Sequence, residues 1–368
     1  MRKEVDEMLT PEKISKIDKS CIHLKYLKWP EYFFEALRAD VNFPEVTEVD
    51  RIILAGMGGS GIVGDVIRDW LAPSRGLPIH VVKDYHLPGF VDKETFVVAI
   101  SYSGNTEETL GIINEAISRR CALAVISSGG LAEELSLKLN IPHTKIMSGL
   151  PPRAAFPLLF VCTALVMQKS ELIEAGEDLY ESGETLKQLG NLLTPEMETE
   201  KNPSKRVAIW LHGALPIIYG SCLNGSVVLR FKGSLNENAK THAVADVLPE
   251  LCHNDLVAWD LDLELPRKAV FVRFVGEPPE VRERFDAVKE QIEGTSSEVY
   301  EVWPPGESHL SRILSAIYLL DFASIYLAVL RGVDPTPTKS IDKMKRRLGV
   351  KLRYLETYTD LPLKPPSR

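Results

Sequence analysis

The alternation of strand-length apolar runs with helix-length amphipathic segments is the feature that most limits what this chain can fold into. Continuous apolar strands separated by helices indicate a parallel sheet, because such a sheet is covered by helices on both faces. In the first half the predicted strands are 51–55, 79–82, 95–100, 122–127 and 144–147. The helical spacing of apolar residues predicts helices at 61–71, 107–119, 131–139 and 153–170.

The same rhythm restarts in the second half, and 368 residues exceed what one hydrophobic core usually organises. The predicted strands there are 207–211, 256–259, 270–275 and 299–303, with helices near 215–230, 278–293 and 308–331. We therefore predict an α/β protein with two doubly wound, flavodoxin-like parallel-sheet domains. The expected divisions are a helical extension at 1–50, a first domain at 51–193, a charged, proline-containing linker at 194–205, a second domain at 206–331, and a C-terminal helix and tail at 332–368.

Composition excludes several classes of protein. The net charge of −8 argues against a non-specific nucleic-acid binder or a protein of anionic membrane surfaces, so we expect no partner of either kind. Five cysteines without a CxxC pair exclude a disulfide framework and a thiolate zinc site, and fit a reducing cytoplasm. The N-terminus has no apolar run typical of a signal peptide, and the apolar segment 313–330 contains Asp321, which favours a buried helix over a membrane span.

A glycine-rich turn follows the first predicted strand. Gly56, Gly58 and Gly61 satisfy GxGxxG, and Asp84 ends the second strand where a ribose-binding acid would lie. A dinucleotide-binding domain is therefore one interpretation. The other is that the glycines only let the strand and the helix pack closely.

A serine-rich loop follows the third predicted strand and favours a different ligand. Ser101, Ser103 and Thr106 place hydroxyl groups beside the backbone N–H groups that open the next helix, and this combination favours an anion such as a terminal phosphate. Thr106 is also expected to cap that helix, but capping does not explain Ser101 and Ser103. Ser60 and Gly59 of the neighbouring glycine turn are expected to complete the phosphate site. Few cationic residues accompany these loops, so helix ends would have to supply most of the positive field.

These loops carry a family resemblance. GMGGSG followed by SYSGNTEET resembles the sugar isomerase (SIS) domain, which binds phosphosugars. Four further stretches are similar to the bifunctional phosphoglucose/phosphomannose isomerase family: PPRAAFPL (151–158), NENAK (236–240), HND (253–255) and the segment 307–348. The resemblance spans roughly residues 50–350. It implies interconversion of glucose 6-phosphate and mannose 6-phosphate with fructose 6-phosphate through a cis-enediolate, without a cofactor or metal.

The resemblance also implies roles for three residues. Glu237 matches the catalytic base, His253 matches a histidine that assists ring opening from the neighbouring subunit, and Arg153 matches the arginine that stabilises the enediolate. A homodimer is implied. On residue type alone, Glu237 reads as a surface glutamate, His253 as a structural histidine and Arg153 as the partner of an acid. No second histidine or acid lies at ligand spacing from Cys252 and His253, so we predict no metal site.

The family also uses a lysine of the C-terminal helix, for which this chain offers three candidates. Matching the pair Ile341-Asp342 selects Lys345, with Thr338 in the position thought to leave room for mannose stereochemistry at C2. Lys343 and Lys339 stay open as alternatives.

Two other functions remain as alternatives to the isomerase. A non-catalytic phosphosugar-binding regulator would keep the serine loop, but the joint presence of Glu237, His253 and a C-terminal lysine argues against it, and we find no basic helix-turn-helix segment. A nicotinamide-dependent dehydrogenase would use the GxGxxG turn but would leave the serine loop without a role.

Overall fold

The structure, a computed structural model, describes residues 7–46, 48–261, 265–295 and 297–351. The N-terminal extension forms a 3-10 turn at Glu7–Leu9 and the helices α1 (Pro11–Ile17), α2 (Ile22–Leu27) and α3 (Trp29–Leu37). Residues 1–6 of this predicted extension and 352–368 of the predicted tail lie outside the described residues. The extension is part of the core, since Trp29 stacks on Tyr26 and Tyr318 with ring centroids 4.8 and 5.3 Å apart.

The first sheet is parallel throughout and confirms the predicted α/β organisation. Its elements are β1 (Arg51–Gly56), α4 (Gly58–Leu71), β2 (Ile79–Val82), β3 (Thr95–Ser101), α5 (Glu107–Ser118), β4 (Ala122–Ser127), α6 (Gly130–Leu139) and β5 (His143–Lys145). The strand order is β2-β1-β3-β4-β5. All the carboxyl ends therefore lie at one edge, and the glycine turn after β1 sits between the chain that leaves β2 and the serine loop after β3.

Three helices connect the two sheets: α7 (Phe156–Lys169), α8 (Gly176–Gly190) and α9 (Pro203–Leu211). The strand predicted at 207–211 is wrong, because this segment belongs to α9. Asn202 caps the helix by accepting hydrogen bonds from the backbone N–H groups of Ser204 and Lys205 at 3.0 and 3.1 Å, and Pro203 occupies its first turn. A five-residue apolar run does not distinguish a buried strand from a buried helix.

The end of the segment predicted as a linker is folded into this arrangement. Lys205 is buried, and its ammonium donates to the carbonyl groups of Pro195 and Met197 at 2.6 and 2.8 Å. The charge and the prolines that indicated a linker therefore accompany a closely packed connection.

The second sheet repeats the strand order of the first. It contains β6 (Leu215–Ser221), α10 (Gly225–Ser234), a π-helical turn (Leu235–Ala239), β7 (Val244–Leu248), β8 (Arg267–Val272), α11 (Pro279–Glu293) and β9 (Val299–Val302), followed by α12 (His309–Leu330) and α13 (Lys339–Lys351). The order β7-β6-β8-β9 corresponds to β2-β1-β3-β4, and all its strands are parallel. The two halves share one architecture.

Two further predictions for this half are wrong, and one strand was not predicted. Residues 215–221 form a strand where we predicted the start of a helix. The strand predicted at 256–259 lies in the 3-10 segment Asp255–Trp259, where Val257 is 67% exposed. The second strand of this half is instead Val244–Leu248, an edge strand whose mostly half-buried residues lack a continuous apolar run.

Helix α12 occupies the centre of the molecule. It is long and apolar enough to cross a membrane by length and composition, but its most apolar 18-residue window is 100% buried inside the protein. It packs against α8, α9 and α10. The prediction of a buried helix is confirmed.

Candidate active site

Steric constraints explain why the turn after β1 contains glycine. A Cβ on Gly61 would stand 2.5 Å from the carbonyl oxygen of Gly56, and one on Gly56 would stand 2.7 Å from that of Ile100. The packing interpretation therefore holds for Gly56 and Gly61. Asp84, the candidate ribose-binding acid, is exposed, and its carboxylate accepts from the backbone N–H of Tyr85 at 2.6 Å.

Ser60 joins the glycine turn to the serine loop. Its buried hydroxyl oxygen accepts a hydrogen bond from the backbone N–H of Tyr102 at 3.1 Å. On the other side of the turn, a Cβ on Gly59 would be 3.4 Å from the Cα of Arg153. Gly59 thus lets the backbone that carries Arg153 approach the turn.

The serine loop is organised by its own hydroxyl groups. Ser101 donates to the hydroxyl of Thr106 at 2.9 Å and accepts from the backbone N–H of Gly104 at 3.1 Å. The exposed Ser103 accepts from the N–H of Asn105 at 3.2 Å. The expected side-chain cap is wrong: Thr106 occupies the N-cap position of α5, but its side chain makes no capping hydrogen bond. The first-turn N–H groups of α5 are therefore left uncapped by this side chain, as an anion site requires.

A cavity of about 260 Å³ lies between the two halves of the molecule. The first half contributes Gly58, Gly59, Ile62, Lys83 and Arg153, and the second contributes Leu229, Arg230, Gly233, Ser234 and Glu237. The cavity thus joins the glycine turn to the candidate base.

Arg153 and Glu237 face each other in this cavity. The Arg153 Nη1 atom lies 3.5 Å from the Glu237 Oε2 atom; the arginine side chain is 6% exposed and that of the glutamate 33%. Arg153 Nε donates to Asn238 Oδ1 at 2.7 Å, and Nη2 donates to the carbonyl groups of Pro335 and Thr336, each at 2.9 Å. These partners fix the guanidinium with Nη1 towards the carboxylate.

The backbone around Glu237 is unusual. Glu237 lies in the π-helical turn, a form that occurs frequently at functional sites. The ammonium of Lys240 donates to the carbonyl of Glu237 and, at 3.0 Å, to that of Pro335. Burial and the charge of Arg153 lower the pKa of Lys240. Arg153 and Lys240 both bind Pro335, so they also hold the segment that leads to Thr338.

An ion pair that the sequence analysis did not identify supports Arg153. Arg230 donates to both carboxylate oxygens of Asp321, the shortest contact being 2.7 Å, and both side chains are buried. Arg230 also donates to the backbone carbonyl of Arg153 at 2.7 Å. The sequence contained a signal for this pair, since an aspartate inside a long apolar helix requires a buried partner.

The single chain does not bring all the expected residues together. His253 is exposed at the end of a 3-10 turn (Glu250–His253) and does not line the cavity. Lys339, Lys343 and Lys345 are exposed on α13 and do not line it either. Thr338 is half-buried just before this helix, three residues after Pro335.

Hydrogen bonds with a tyrosine of β6 hold the loop that carries His253 in place. The hydroxyl of Tyr219, on β6, donates to the Asp255 carboxylate and accepts from the indole N–H of Trp259 at 2.9 Å. Burial and the neighbouring Asp255 carboxylate raise the pKa of Tyr219, which stays protonated. Across the ranges the structure describes, no three His, Cys, Asp or Glu side chains are grouped as metal ligands would be.

Comparison with known proteins agrees with this architecture. Residues 45–149 match the family model of the SIS domain, and residues 200–348 match that of the "bacterial phospho-glucose isomerase C-terminal SIS domain". The crystal structure of a glucose-6-phosphate isomerase-like protein from Thermus thermophilus superimposes with a TM-score of 0.62 at 19% identity, covering 92% of this chain and 98% of that one, which supports the fold.

Two curated relatives place the chain in a family. The bifunctional phosphoglucose/phosphomannose isomerase of Caldicellulosiruptor bescii is 38% identical over 306 residues, which cover 82% of this chain and 90% of the relative. The protein of the same description from Aquifex aeolicus is 36% identical and covers 86% of this chain and 96% of the relative. With the two sheets and both matched domains, these similarities show that the chain belongs to the bifunctional phosphoglucose/phosphomannose isomerase family.

Proposed function

We propose that this protein is an aldose–ketose isomerase that interconverts glucose 6-phosphate and mannose 6-phosphate with fructose 6-phosphate. The observation that carries the proposal is the Arg153–Glu237 pair, 3.5 Å apart in a cavity that begins at the glycine turn. Enediolate chemistry needs a carboxylate base and a fixed positive charge near the same two carbons. A phosphosugar-binding regulator would need the loops but not a guanidinium aimed at a carboxylate.

One group of residues binds the phosphate, and another acts on the reacting carbons. Ser60, Ser101, Ser103 and Thr106 bind the phosphate, and this remote contact positions the sugar's first two carbons. Glu237 removes the proton from C2 of the aldose, giving a cis-enediolate, and returns it to C1 of the ketose. Arg153 stabilises the negative charge that develops on the enediolate oxygens.

No cofactor or metal enters this scheme, because the transfer moves a proton and an electron pair within one sugar and causes no net oxidation. We place the reaction in the hexose phosphate metabolism of the cytoplasm, that is, in glycolysis and gluconeogenesis. The five free thiols are in keeping with a reducing compartment.

A coupled assay tests this function. Fructose 6-phosphate formation is measured from glucose 6-phosphate and from mannose 6-phosphate, each with and without a chelator. We expect turnover of both sugars that the chelator does not change. Absence of turnover would contradict the isomerase, and loss of turnover with the chelator would contradict metal independence.

We further propose that the active form is a homodimer in which His253 of one subunit assists ring opening in the other. Its exposure and its absence from the cavity lining support an action across an interface. The test mixes two inactive homodimers, Glu237→Gln and His253→Ala, after reversible dissociation. If His253 acts across the interface, each mixed dimer has one complete site, and about a quarter of wild-type activity returns. If it acts within its own chain, no activity returns.

A further inference from the structure

The charged side chains of the cavity differ in how fully they are paired. Arg153 is buried and bound to Asn238 and to two carbonyl groups, and Arg230 is buried against Asp321. Lys83 also lines the cavity, but 38% of its side chain is exposed. Of the three cations that line it, Lys83 is therefore the most exposed one.

Lys83 occupies a position at which a positive charge favours an anion. It follows β2 directly, at the carboxyl edge of the sheet. Its Cε atom would lie 3.3 Å from a Cβ on Gly61, so its aliphatic part crosses the first turn of α4. The N-terminus of a helix already carries partial positive charge, so the helix end and the ammonium together favour an anion in the cavity.

Asp65 holds the ammonium at this place. The carboxylate of Asp65 is buried on α4 and pairs with Lys83 and, at 3.3 Å, with Arg68. Burial raises the pKa of Asp65 in spite of these partners. An ammonium has three N–H donors, and a single carboxylate does not use all of them.

We propose that Lys83 binds the phosphate group of the substrate on the side of the glycine turn opposite to the serine loop. The strand order β2-β1-β3 puts the two elements on either side of that turn. The serine loop supplies neutral hydroxyl donors to a dianion, and Lys83 supplies the cationic contact. This inference rests on the proposed function only in naming the substrate, because any phosphate ester in the cavity would meet the same group.

The test measures dissociation constants by calorimetry for inorganic phosphate and for fructose 6-phosphate. The variants are Lys83→Met, Lys83→Arg and the double variant Asp65→Asn with Lys83→Met. The double variant removes both charges, so no buried carboxylate is left unpaired. Lys93→Met is the matched control, since Lys93 is an exposed lysine ahead of β3, at the opposite edge of the sheet.

We expect Lys83→Met and the double variant to weaken both ligands by about 10- to 100-fold, as loss of a charged hydrogen bond does. Lys83→Arg keeps the charge and should stay within about threefold, and Lys93→Met should match the wild type. Wild-type affinity in the double variant would overturn the proposal, because Lys83 would then act only by neutralising Asp65. Unchanged phosphate affinity in Lys83→Met would overturn it as well.

These outcomes are separate from the failure of the isomerase proposal. Calorimetry requires no turnover, so a wild-type protein that binds both ligands but produces no fructose 6-phosphate would contradict the isomerase while still deciding the role of Lys83. If turnover is present, Lys83→Met should raise KM by the same factor and leave kcat within about threefold, since the phosphate is remote from the reacting carbons.

Discussion

The Nη1 atom of Arg153 lies 3.5 Å from the Oε2 atom of Glu237, although 84 residues separate them and they belong to different halves of the chain. Arg153 follows the first sheet, and Glu237 follows α10 of the second. The candidate catalytic pair thus exists only when both halves are packed together. Asn238 and Pro335, which bind the guanidinium, fix this relationship from the second half.

Replacing Glu237 by Gln should abolish isomerisation while leaving sugar-phosphate binding intact. The amide keeps the shape of the side chain but does not accept a proton from carbon, so kcat should fall by about 10²- to 10⁴-fold. The coupled assay and calorimetric binding of fructose 6-phosphate check the two parts. Glu283→Gln on the exposed face of α11 is the control. A variant with near wild-type kcat would show that Glu237 is not the base.

Replacing Ser101 and Ser103 by Ala should weaken substrate binding. Both hydroxyls are proposed phosphate donors, and Ser101 also organises the loop through Thr106 and Gly104. We expect KM to rise roughly 10- to 100-fold with a smaller change in kcat. Ser118→Ala, at the far end of α5, is the control because its exposed hydroxyl donates to the carbonyl of Asn114 within the same helix. An unchanged KM would remove the phosphate site from this loop.

The first sheet could be predicted from the sequence because its three central strands are buried on both faces. Strands β1, β3 and β4 each contain a continuous buried apolar run, and helix-length segments separate them. The second sheet was harder to predict from the sequence. Residues 207–211 of helix α9 are an apolar run, and the helix packs against α12, so the pattern resembles that of a buried strand. In the edge strand β7, Asp246 interrupts the apolar residues.

The site could be predicted only where local chemistry was sufficient. Hydroxyls before a helix indicated an anion site without any knowledge of the fold. The pairing of Arg153 with Glu237 depends on packing between the halves, and their roles came from resemblance. The sequence alone does not mark Lys83 as a functional residue, because a lone lysine after a short strand is common. Its significance depends on the neighbouring Gly61 and the buried Asp65.

Replacing Thr338 by Gln should reduce activity on mannose 6-phosphate more than on glucose 6-phosphate. Thr338 lies three residues after Pro335, which Arg153 binds, so a longer side chain there would narrow the space beside the reacting carbons. We expect the ratio of kcat/KM values to shift by about tenfold or more towards glucose 6-phosphate. Thr338→Val keeps the size and removes the hydroxyl. If both sugars lose activity equally in Thr338→Gln, Thr338 does not determine specificity.

Helix α13 has one apolar stripe and one basic face. Ile341, Met344 and Leu348 recur at helical spacing along one side. Lys345 borders this stripe, since it lies four residues after Ile341 and three before Leu348. When α13 packs its apolar stripe against another protein surface, Lys345 therefore lies at the edge of that interface.

Among the three lysines of α13, Lys345→Ala should cause the large loss of activity. Lys339 and Lys343 lie one turn apart on the side away from the apolar stripe. We expect kcat/KM to fall about 100-fold in Lys345→Ala, as for other groups that stabilise a developing charge. Lys339→Ala and Lys343→Ala each remove the same charge from the same helix and should stay within about threefold. A larger loss in Lys343→Ala would transfer the role to that residue.

Glu181 holds Ser308, the N-cap residue of the central helix, and should make the protein sensitive to acid. Its carboxylate accepts from the hydroxyl of Ser308 at 2.6 Å and from the backbone N–H groups of Ser308 and Glu307 at the start of α12. Burial acts to raise the pKa of Glu181, but these hydrogen bonds together with those of Ser311 and Thr185 outweigh it and lower the pKa to about 2.

Replacing Glu181 by Gln should therefore destabilise the fold at neutral pH and much less in acid. A carboxylate with a lowered pKa binds its proton more weakly in the folded state, so its stabilisation is complete above the unfolded value of 4.5 and is lost as the pH falls towards 2. We expect the free energy of unfolding at pH 7 to fall by about 1 kcal/mol, as for loss of hydrogen bonds to a partly exposed charged group. Urea unfolding of wild type and variant at pH 7 and pH 3 measures the difference, with Glu283→Gln as control. A gap of equal size at both pH values would mean that the charge of Glu181 does not stabilise α12.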